Sequence, residues 1–338
     1  MLTNNNNKAM AELNHIPVLL KEVLRVLSPK DGGVYVDATF GGGGYTRAIL
    51  DKVECRVVGI DRDPQAVERA KKLQTEYPGR FFYAHAKFSE FPRVLDDLGI
   101  GKSDGVVFDL GVSSYQIDDP ERGFSFRFDA PLSMVMGCSD LSAYDVVNGF
   151  SEKELAAIFK QGEEPFARRI AKKIVAKRAG ESIKTTGQLA SLIASCKPPL
   201  SKDVQHPATL AFQALRIFVN EELIELEKGL QLCKNRLRED GRLIVVTFHS
   251  LEDRIVKDFM RKESGSSPLP SRHIPLVRQE DMSNRPAFNL IQKKAISPTE
   301  QEMKDNPRSR SARLRCAIRS LDQDLDKHQY QGQDQERD

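Results

Sequence analysis

No stretch of this 338-residue sequence is apolar over the roughly 18 residues that a membrane span requires. The first 14 residues are polar and rich in asparagine, without the apolar core of a secretory signal. We therefore expect a cytoplasmic protein with no membrane partner. Apolar residues make up 40% of the chain and charged residues 29%, which is typical of a globular protein rather than a disordered one.

Cysteine is scarce as well. The five cysteines are Cys55, Cys138, Cys196, Cys233 and Cys316. Their odd number and wide spacing argue against a disulfide framework and against a zinc ribbon. We therefore expect no metal site and a reducing compartment, which fits the cytoplasm.

The chain also lacks a large excess of charge of one sign, since its formal net charge is only +3. Two local basic stretches nevertheless stand out, one at 160–178, which includes Arg168 and Arg169, and one at 308–319. Local patches can bind phosphate groups even when the whole chain is near neutral. A solvated helix face explains the first stretch equally well.

Strand-like and helix-like segments alternate in the first third of the chain. Residues with the character of buried strands fall at 34–37, 57–61, 81–84 and 106–109. Helical patterns lie between them, at 45–52 after a glycine-rich turn and at 64–73 with Pro64 in the first turn. Strands that alternate with helices indicate right-handed crossovers and a parallel sheet covered on both faces.

Helical patterns alone follow, and strand character resumes at 243–246 after one long predicted helix. The apolar stripe of that helix consists of Leu215, Val219, Leu223, Leu226 and Leu230. We predict a loop at 264–303, which is rich in proline, serine and arginine, and a final strand at 313–318. We therefore predict a doubly wound sheet domain in two parts with a helical insertion. The predicted boundaries are 1–117, 118–207 for the insertion, 208–320, and 321–338 for a disordered acidic tail.

The clearest local signal is the glycine-rich segment from Asp37 to Tyr45, which follows a strand and opens a helix. Glycines there let the backbone turn sharply and approach a ligand closely. Asp61 ends the next strand, 24 residues after Asp37, close to the spacing at which a carboxylate accepts ribose hydroxyls. A dinucleotide is one candidate ligand, but Thr46 leaves its glycine fingerprint incomplete and Asp37 would repel phosphates.

These features favour S-adenosylmethionine, whose ammonium group Asp37 could receive. The fold class expected is therefore α/β, a Rossmann-like S-adenosylmethionine-dependent methyltransferase with an inserted helical domain. A nicotinamide oxidoreductase remains the weaker alternative.

Asp109 ends the fourth strand and is the candidate catalytic residue. Ligands of doubly wound sheets sit at the carboxyl ends of the strands, so Asp109 would lie where donor and acceptor meet. A carboxylate there can accept hydrogen bonds from an exocyclic amine and take up developing positive charge. Carbon methylation of a pyrimidine would need a thiolate, and the nearest cysteine, Cys138, lies well downstream. A helix cap or turn cap is the structural alternative for Asp109.

Three further positions are candidates for substrate contact. Phe126 and Arg127 lie in a segment where aromatics and arginines interleave, which suits base stacking and phosphate contact. Burial of the same phenylalanines under a lid is equally compatible with this pattern. His249 follows the fifth strand, and Ser250 with Asp253 predicts the capped start of the next helix.

Eight blocks follow one another along the chain, at His15–Leu20, Asp37–Gly41, Ile60–Pro64, Asp109–Ser114, Glu121–Phe126, His206–Thr209, Phe212–Ile217 and His249–Arg254. Together they resemble one family, the bacterial 16S ribosomal RNA cytosine-N4 methyltransferases known as RsmH or MraW. The resemblance implies N4 methylation of a cytidine in the decoding region of the small subunit's RNA, with a helical substrate-recognition insertion. Its donor-binding positions fall on Gly43, Gly44, Tyr45, Asp61, Phe88, Asp109 and Gln116, with Phe88 near the adenine.

The implied partner is 16S rRNA within the small ribosomal subunit, and a homodimer is an open alternative to a monomer. Two departures from the family pattern stand out. Tyr45 occupies a position where the family usually has histidine, and 133–137 lacks the acids and the arginine that the family usually carries. The second departure keeps a second hypothesis open, namely a non-catalytic RNA-binding or assembly factor with the same fold.

Overall fold

The computed structural model describes residues 17–137, 139, 141–198, 206–266 and 286–320. Within these ranges the strands are β1 (Val34–Asp37), β2 (Arg56–Asp61), β3 (Phe81–His85), β4 (Ser103–Asp109), β5 (Leu237–Thr247), β6 (Phe288–Leu290) and β7 (Arg313–Arg319). They form one sheet in the order β3-β2-β1-β4-β5-β7-β6. The first five strands are parallel, and β7 runs antiparallel to both of its neighbours.

Helices cover both faces of this sheet, as predicted. In chain order they are α1 (Leu20–Leu27), α2 (Gly44–Lys52), α3 (Ala66–Glu76), α4 (Phe91–Asp97), α5 (Ser114–Asp118), α6 (Ala143–Gly149), α7 (Glu152–Gln161), α8 (Ala167–Arg178), α9 (Thr186–Ala194), α10 (Thr209–Val219), α11 (Glu222–Arg236), α12 (Ser250–Glu263) and α13 (Glu300–Asp305). Strand side chains alternate between two apolar cores, with Val34 and Val36 in one and Tyr35 in the other. None of the described helices is both long enough and apolar enough to cross a membrane.

The register of the parallel strands brings three acids to one edge of the sheet. Asp37 pairs with Gly59 on one side and with Val107 on the other. Asp61 and Asp109 each lie two residues beyond those partners, at the carboxyl ends of β2 and β4. Because the carboxyl ends of parallel strands meet at the same edge, the predicted site residues of these strands share one side of the fold.

Helices α6 to α10 enclose a separate apolar core, and we call this part of the chain the helical body. Its buried residues include Leu155, Phe159, Ile170 and Leu189. We predicted an insertion that ends at residue 207, yet α10 also contributes Phe212 and Leu215 to this core. The packed helical unit therefore extends to Val219, because the apolar face of α10 is buried against its other helices.

The long helix predicted through Leu215 and Leu230 is wrong as a single element. It is two helices, α10 and α11, separated at Asn220 and Glu221, and Glu221 adopts a left-handed φ of 52°. The buried Asn220 side chain accepts a hydrogen bond from the Met136 amide (2.9 Å) and donates one to the Met134 carbonyl (2.7 Å). The break thus places an amide where it satisfies two buried backbone groups of a distant segment.

The segment predicted as a loop at 264–303 includes regular structure among its described residues. β6 lies in it and α13 begins in it, and the sequence pattern did not reveal either because three and six residues are too short for a periodic signal. The disordered tail predicted at 321–338 lies outside the described residues, as does Cys138.

Candidate active site

A cavity of about 350 Å³ opens at the carboxyl edge of the sheet. Volumes of about 300–1,000 Å³ are usual for small-molecule sites. Most of the predicted donor-binding residues line it, namely Gly44, Tyr45, Asp61, Phe88, Asp109 and Gln116. The structure therefore brings residues from four separate sequence blocks into one concave site.

The glycine-rich loop forms one wall of the cavity. Gly41 and Gly43 both have left-handed φ values, of 52° and 77°, which favour glycine. Gly43 precedes α2, and its amide donates to the Phe40 carbonyl at 2.6 Å. A Cβ atom on Gly44 would lie 2.2 Å from a ring carbon of Pro17, so this position too requires glycine. Gly43 shapes the loop and is not among the described residues that line the cavity.

The Asp61 carboxylate is aimed by two backbone amides. Oδ2 accepts from Gly41 at 2.6 Å and Oδ1 accepts from Asp63 at 2.8 Å. Burial raises the pKa of Asp61, while these two hydrogen bonds oppose the rise. Each carboxylate oxygen can accept more than one hydrogen bond, so the group retains acceptor capacity toward the cavity.

Asp109 lies at the cavity with one oxygen unused. Its Oδ1 atom is buried and has no hydrogen-bond partner among the described residues. Its backbone amide donates to the Thr39 hydroxyl at 2.6 Å, which fixes the end of β4. Burial raises the pKa of Asp109 well above its usual value, and the charges of Asp37 and Glu252 raise it further. A buried acceptor without a partner is costly. This oxygen is therefore suited to accept a hydrogen bond from a ligand bound in the cavity.

Asp37 lies behind the cavity wall. Its side chain is only 1% exposed, and the residue is not among those that line the cavity. Its oxygens accept from the Thr46 hydroxyl at 2.7 Å and from the Thr39 amide at 3.4 Å. Burial raises the pKa of Asp37 to about 6. The structure thus brings Asp61 and Asp109 together on one surface and places Asp37 under the glycine-rich loop.

Phe88 and Gln116 occupy other walls. The Phe88 ring packs edge-on against Phe108, with centroids 5.5 Å apart. Gln116 caps α5 reciprocally with Ser113, and its side-chain amide donates to Asp63 Oδ2 at 2.7 Å. Both side chains are thereby held in place before any ligand binds.

The segment that departs from the family pattern also reaches the cavity, through Met136. Hydrogen bonds with Asn220 hold this segment in place. Its last residue, Gly137, packs tightly against the backbone that follows β2. A Cβ atom on Gly137 would lie 2.4 Å from the Arg62 carbonyl oxygen. The aspartate that the family often has at this position would therefore clash with this backbone.

The residues predicted to contact substrate lie apart from the cavity lining. Phe126 packs into the helical body against His206 and Phe212, at centroid distances of 4.4 and 4.9 Å. Arg127 is exposed, and Arg168 and Arg169 are exposed on α8. Phe126 is partly buried against the helical core, and its contact with substrate stays a prediction.

His249 caps α12, where we predicted Ser250. Its Nδ1 atom accepts from the Glu252 amide at 3.4 Å, and its Nε2 atom lies 3.1 Å from Glu252 Oε1. Ser250 instead donates to Glu163 of the helical body, and Asp253 pairs with Arg315. The predicted cap was wrong by one residue, because the imidazole satisfies the first turn in place of the serine hydroxyl.

We did not predict Arg216 and Arg308 as residues of the donor site, yet both line the cavity. Arg216 forks onto Glu222, with Nε and Nη2 each 2.8 Å from a carboxylate oxygen. A single arginine within the apolar block 212–217 was the available signal for it. Glu222, His249 and Glu252 have potential metal-ligand atoms within 4.8 Å of one another, but the Arg216 guanidinium already pairs with Glu222.

A family model described as the MraW methylase family matches residues 12–320. The chain belongs to this family. The ribosomal RNA small subunit methyltransferase H of Granulibacter bethesdensis is 52% identical over 306 residues, covering 89% of this chain and 90% of that protein. The protein of the same name from Hyphomonas neptunium is 49% identical over 314 residues, covering 93% and 91%. The match thus spans the sheet and the helical body of this MraW-family chain.

Proposed function

We propose that this protein transfers a methyl group from S-adenosylmethionine to the N4 amine of a cytidine in the decoding region of 16S rRNA. The observation that carries the proposal is the shared cavity of Asp61 and Asp109, in which one buried Asp109 oxygen has no partner among the described residues. Family membership and relatives named as ribosomal RNA small subunit methyltransferases support the same reaction.

The cavity residues fit the donor. Asp61 would accept hydrogen bonds from the ribose hydroxyls, and Phe88 would pack against the adenine. Gly44, Tyr45 and Gln116 would surround the remainder, with Gly43 shaping the loop. Asp37 would act on the donor's ammonium group from beneath the loop, through its charge and through Thr39 and Thr46. When bound, S-adenosylmethionine supplies a methyl group made electrophilic by the adjacent sulfonium.

Asp109 is the proposed catalytic residue. A base's exocyclic amine is a weak nucleophile, because its lone pair is delocalised into the ring. The Asp109 carboxylate would accept a hydrogen bond from N4, which orients the amine and stabilises the positive charge that develops on it. The surplus proton can leave to water once the new bond has formed.

The RNA partner is proposed to be the small ribosomal subunit, in the cytoplasm. The exposed Arg168 and Arg169 of α8 would contact phosphates, with Arg127 adding to them. Phe126 and His249 would support the substrate surface from within the helical body and from the start of α12. A homodimer stays a prediction.

The test is transfer of labelled methyl groups to small subunits from cells that lack the endogenous activity, with the product mapped. Label in N4-methylcytidine at one decoding-region position is the expected result, and Asp109→Ala should abolish most of it. Donor binding by calorimetry without any transfer would contradict the proposal and favour the non-catalytic assembly factor.

A further inference from the structure

Arg216 connects the helical body to the donor cavity. It lies on α10, whose apolar face belongs to the helical core, yet its side chain lines the cavity that Asp109 shares. The side chain is 14% exposed, so its charge is largely withdrawn from water. The donor-binding loops, by contrast, follow β1, β2 and β4 of the sheet.

The Arg216 guanidinium is held in place by Glu222 through two of its three nitrogen atoms. Nε and Nη2 donate to the two oxygens of Glu222, in the parallel geometry that arginine forms with carboxylates. In the described part of the chain, Nη1 has no recorded hydrogen bond to a protein group. The charge of Glu252 contributes to raising the pKa of Arg216 and that of Asp109, and these two residues line one cavity.

The Glu252 side chain is held in place by a backbone hydrogen bond. Its Oε2 atom accepts from the Phe248 amide at 2.8 Å, and Phe248 also lines the cavity. The preceding strand, β5, pairs Val246 with Asp109. The paired strands β4 and β5 thus hold the hydrogen-bond acceptor, Asp109, and the ion pair with Glu222 holds the hydrogen-bond donor, Arg216, at the same cavity.

We infer that Arg216 determines the specificity for the target base, and this inference rests on the proposed function. Nη1 donates a hydrogen bond to N3 of the cytosine, while Asp109 accepts from N4. Cytosine offers one donor and two acceptors along this edge. Uracil carries a hydrogen on N3 and an oxygen at position 4, so it would face both groups with the wrong polarity.

The test compares Arg216→Lys with Arg315→Lys as a matched control. Arg315 makes the same forked pair, with Asp253, is also 14% exposed, and is not among the described cavity residues. Donor affinity is measured by calorimetry, and kcat and KM are measured with small subunits. Subunits whose target cytidine is replaced by uridine serve as competitors, which gives the preference for cytidine directly. Thermal unfolding checks that both variants are folded.

We expect Arg216→Lys to lower kcat/KM at least tenfold and the preference for cytidine by a similar factor, with donor affinity within threefold. Arg315→Lys should leave all three values near the wild type. A second variant, Arg216→Met with Glu222→Met, removes the buried pair without leaving an unpaired charge and should show the larger loss.

A parallel loss of donor affinity would overturn the inference, because Arg216 would then bind the donor's carboxylate. An unchanged preference for cytidine would overturn it too and leave the pair structural. Failure of the wild type to methylate any subunit would instead contradict the proposed function itself.

Discussion

The Tyr45 hydroxyl donates a hydrogen bond to the backbone carbonyl of Val18, which lies 27 residues earlier. Both residues are buried, and both line the cavity. The bond holds the segment before α1 against the glycine-rich loop, where Pro17 already contacts Gly44. The tyrosine that stands in place of the family's usual histidine therefore has a structural role in this chain.

Tyr45→Phe should lower the free energy of unfolding by about 1–3 kcal/mol, because it leaves a buried carbonyl without a donor. Chemical denaturation measures this change. Tyr144→Phe, at a residue 38% exposed, is the control and should have little effect. Equal stability of Tyr45→Phe and the wild type would show that the hydroxyl contributes nothing.

Asp61→Ala should weaken donor binding by about 1–3 kcal/mol, because ribose hydroxyls would lose their acceptor. The loss also frees the amides of Gly41 and Asp63, so the loop would be less well ordered. Asp61→Asn keeps one acceptor oxygen, so its donor affinity should lie between that of the wild type and that of Asp61→Ala. Calorimetry with the donor measures all three proteins, and an alanine variant that binds as tightly as the wild type would refute the assignment.

Asp109→Asn should reduce turnover far more than donor affinity. The amide retains the size of the side chain and one acceptor oxygen but cannot stabilise developing positive charge as a carboxylate does. Single-turnover methyl transfer, compared with the donor dissociation constant, separates the two effects. Equal losses in both would place the main role of Asp109 with the donor instead.

Donor affinity should increase as pH rises from about 5 to 7.5. Burial raises the pKa values of Asp37, Asp61 and Asp109, to about 6 for Asp37, so these acids hold protons at low pH. The donor carries a net positive charge and favours their ionised forms, so its binding should release protons. Calorimetry in buffers of different ionisation enthalpy measures the number of protons that are released when the donor binds.

Asp37→Asn should flatten the part of this pH dependence near pH 6. The same raised pKa means that Asp37 contributes stability below pH 4, and that this contribution is lost as pH rises through about 6. Relative to Asp37→Asn, the wild type should therefore be more stable at pH 4 than at pH 7. Identical pH profiles for the two proteins would contradict a titrating Asp37.

Arg168→Ala combined with Arg169→Ala should weaken binding to small subunits and reduce its salt dependence, because fewer phosphates would be neutralised. Donor affinity should stay unchanged, since neither residue is among the described cavity residues. Lys52→Ala with Lys71→Ala, two exposed lysines on helices of the sheet domain, is the matched control. An effect of equal size from both pairs would mean that α8 is not a specific contact.

Local sequence patterns were sufficient to predict β1, β2 and β4 and the acids at their ends, because strand period and glycine placement act over a few residues. The orientation of Asp37 could not be predicted, since it depends on the Thr46 hydroxyl of the following helix. The break at Asn220 depends on bonds to Met134 and Met136 that span more than 80 residues of sequence. Interactions of that range leave no periodic signal.

Because α10 belongs to the helical core, exchanging the helical body between relatives requires a junction after Val219. A junction at residue 207 would separate Phe212 and Leu215 from the other helices of the core. The transferred helices would then lack this apolar surface. Such a junction would also separate Arg216 from the fold that supports it while leaving the residue beside the donor cavity. Chimeras joined after α10 would instead transfer Arg216 together with the helical core that supports it.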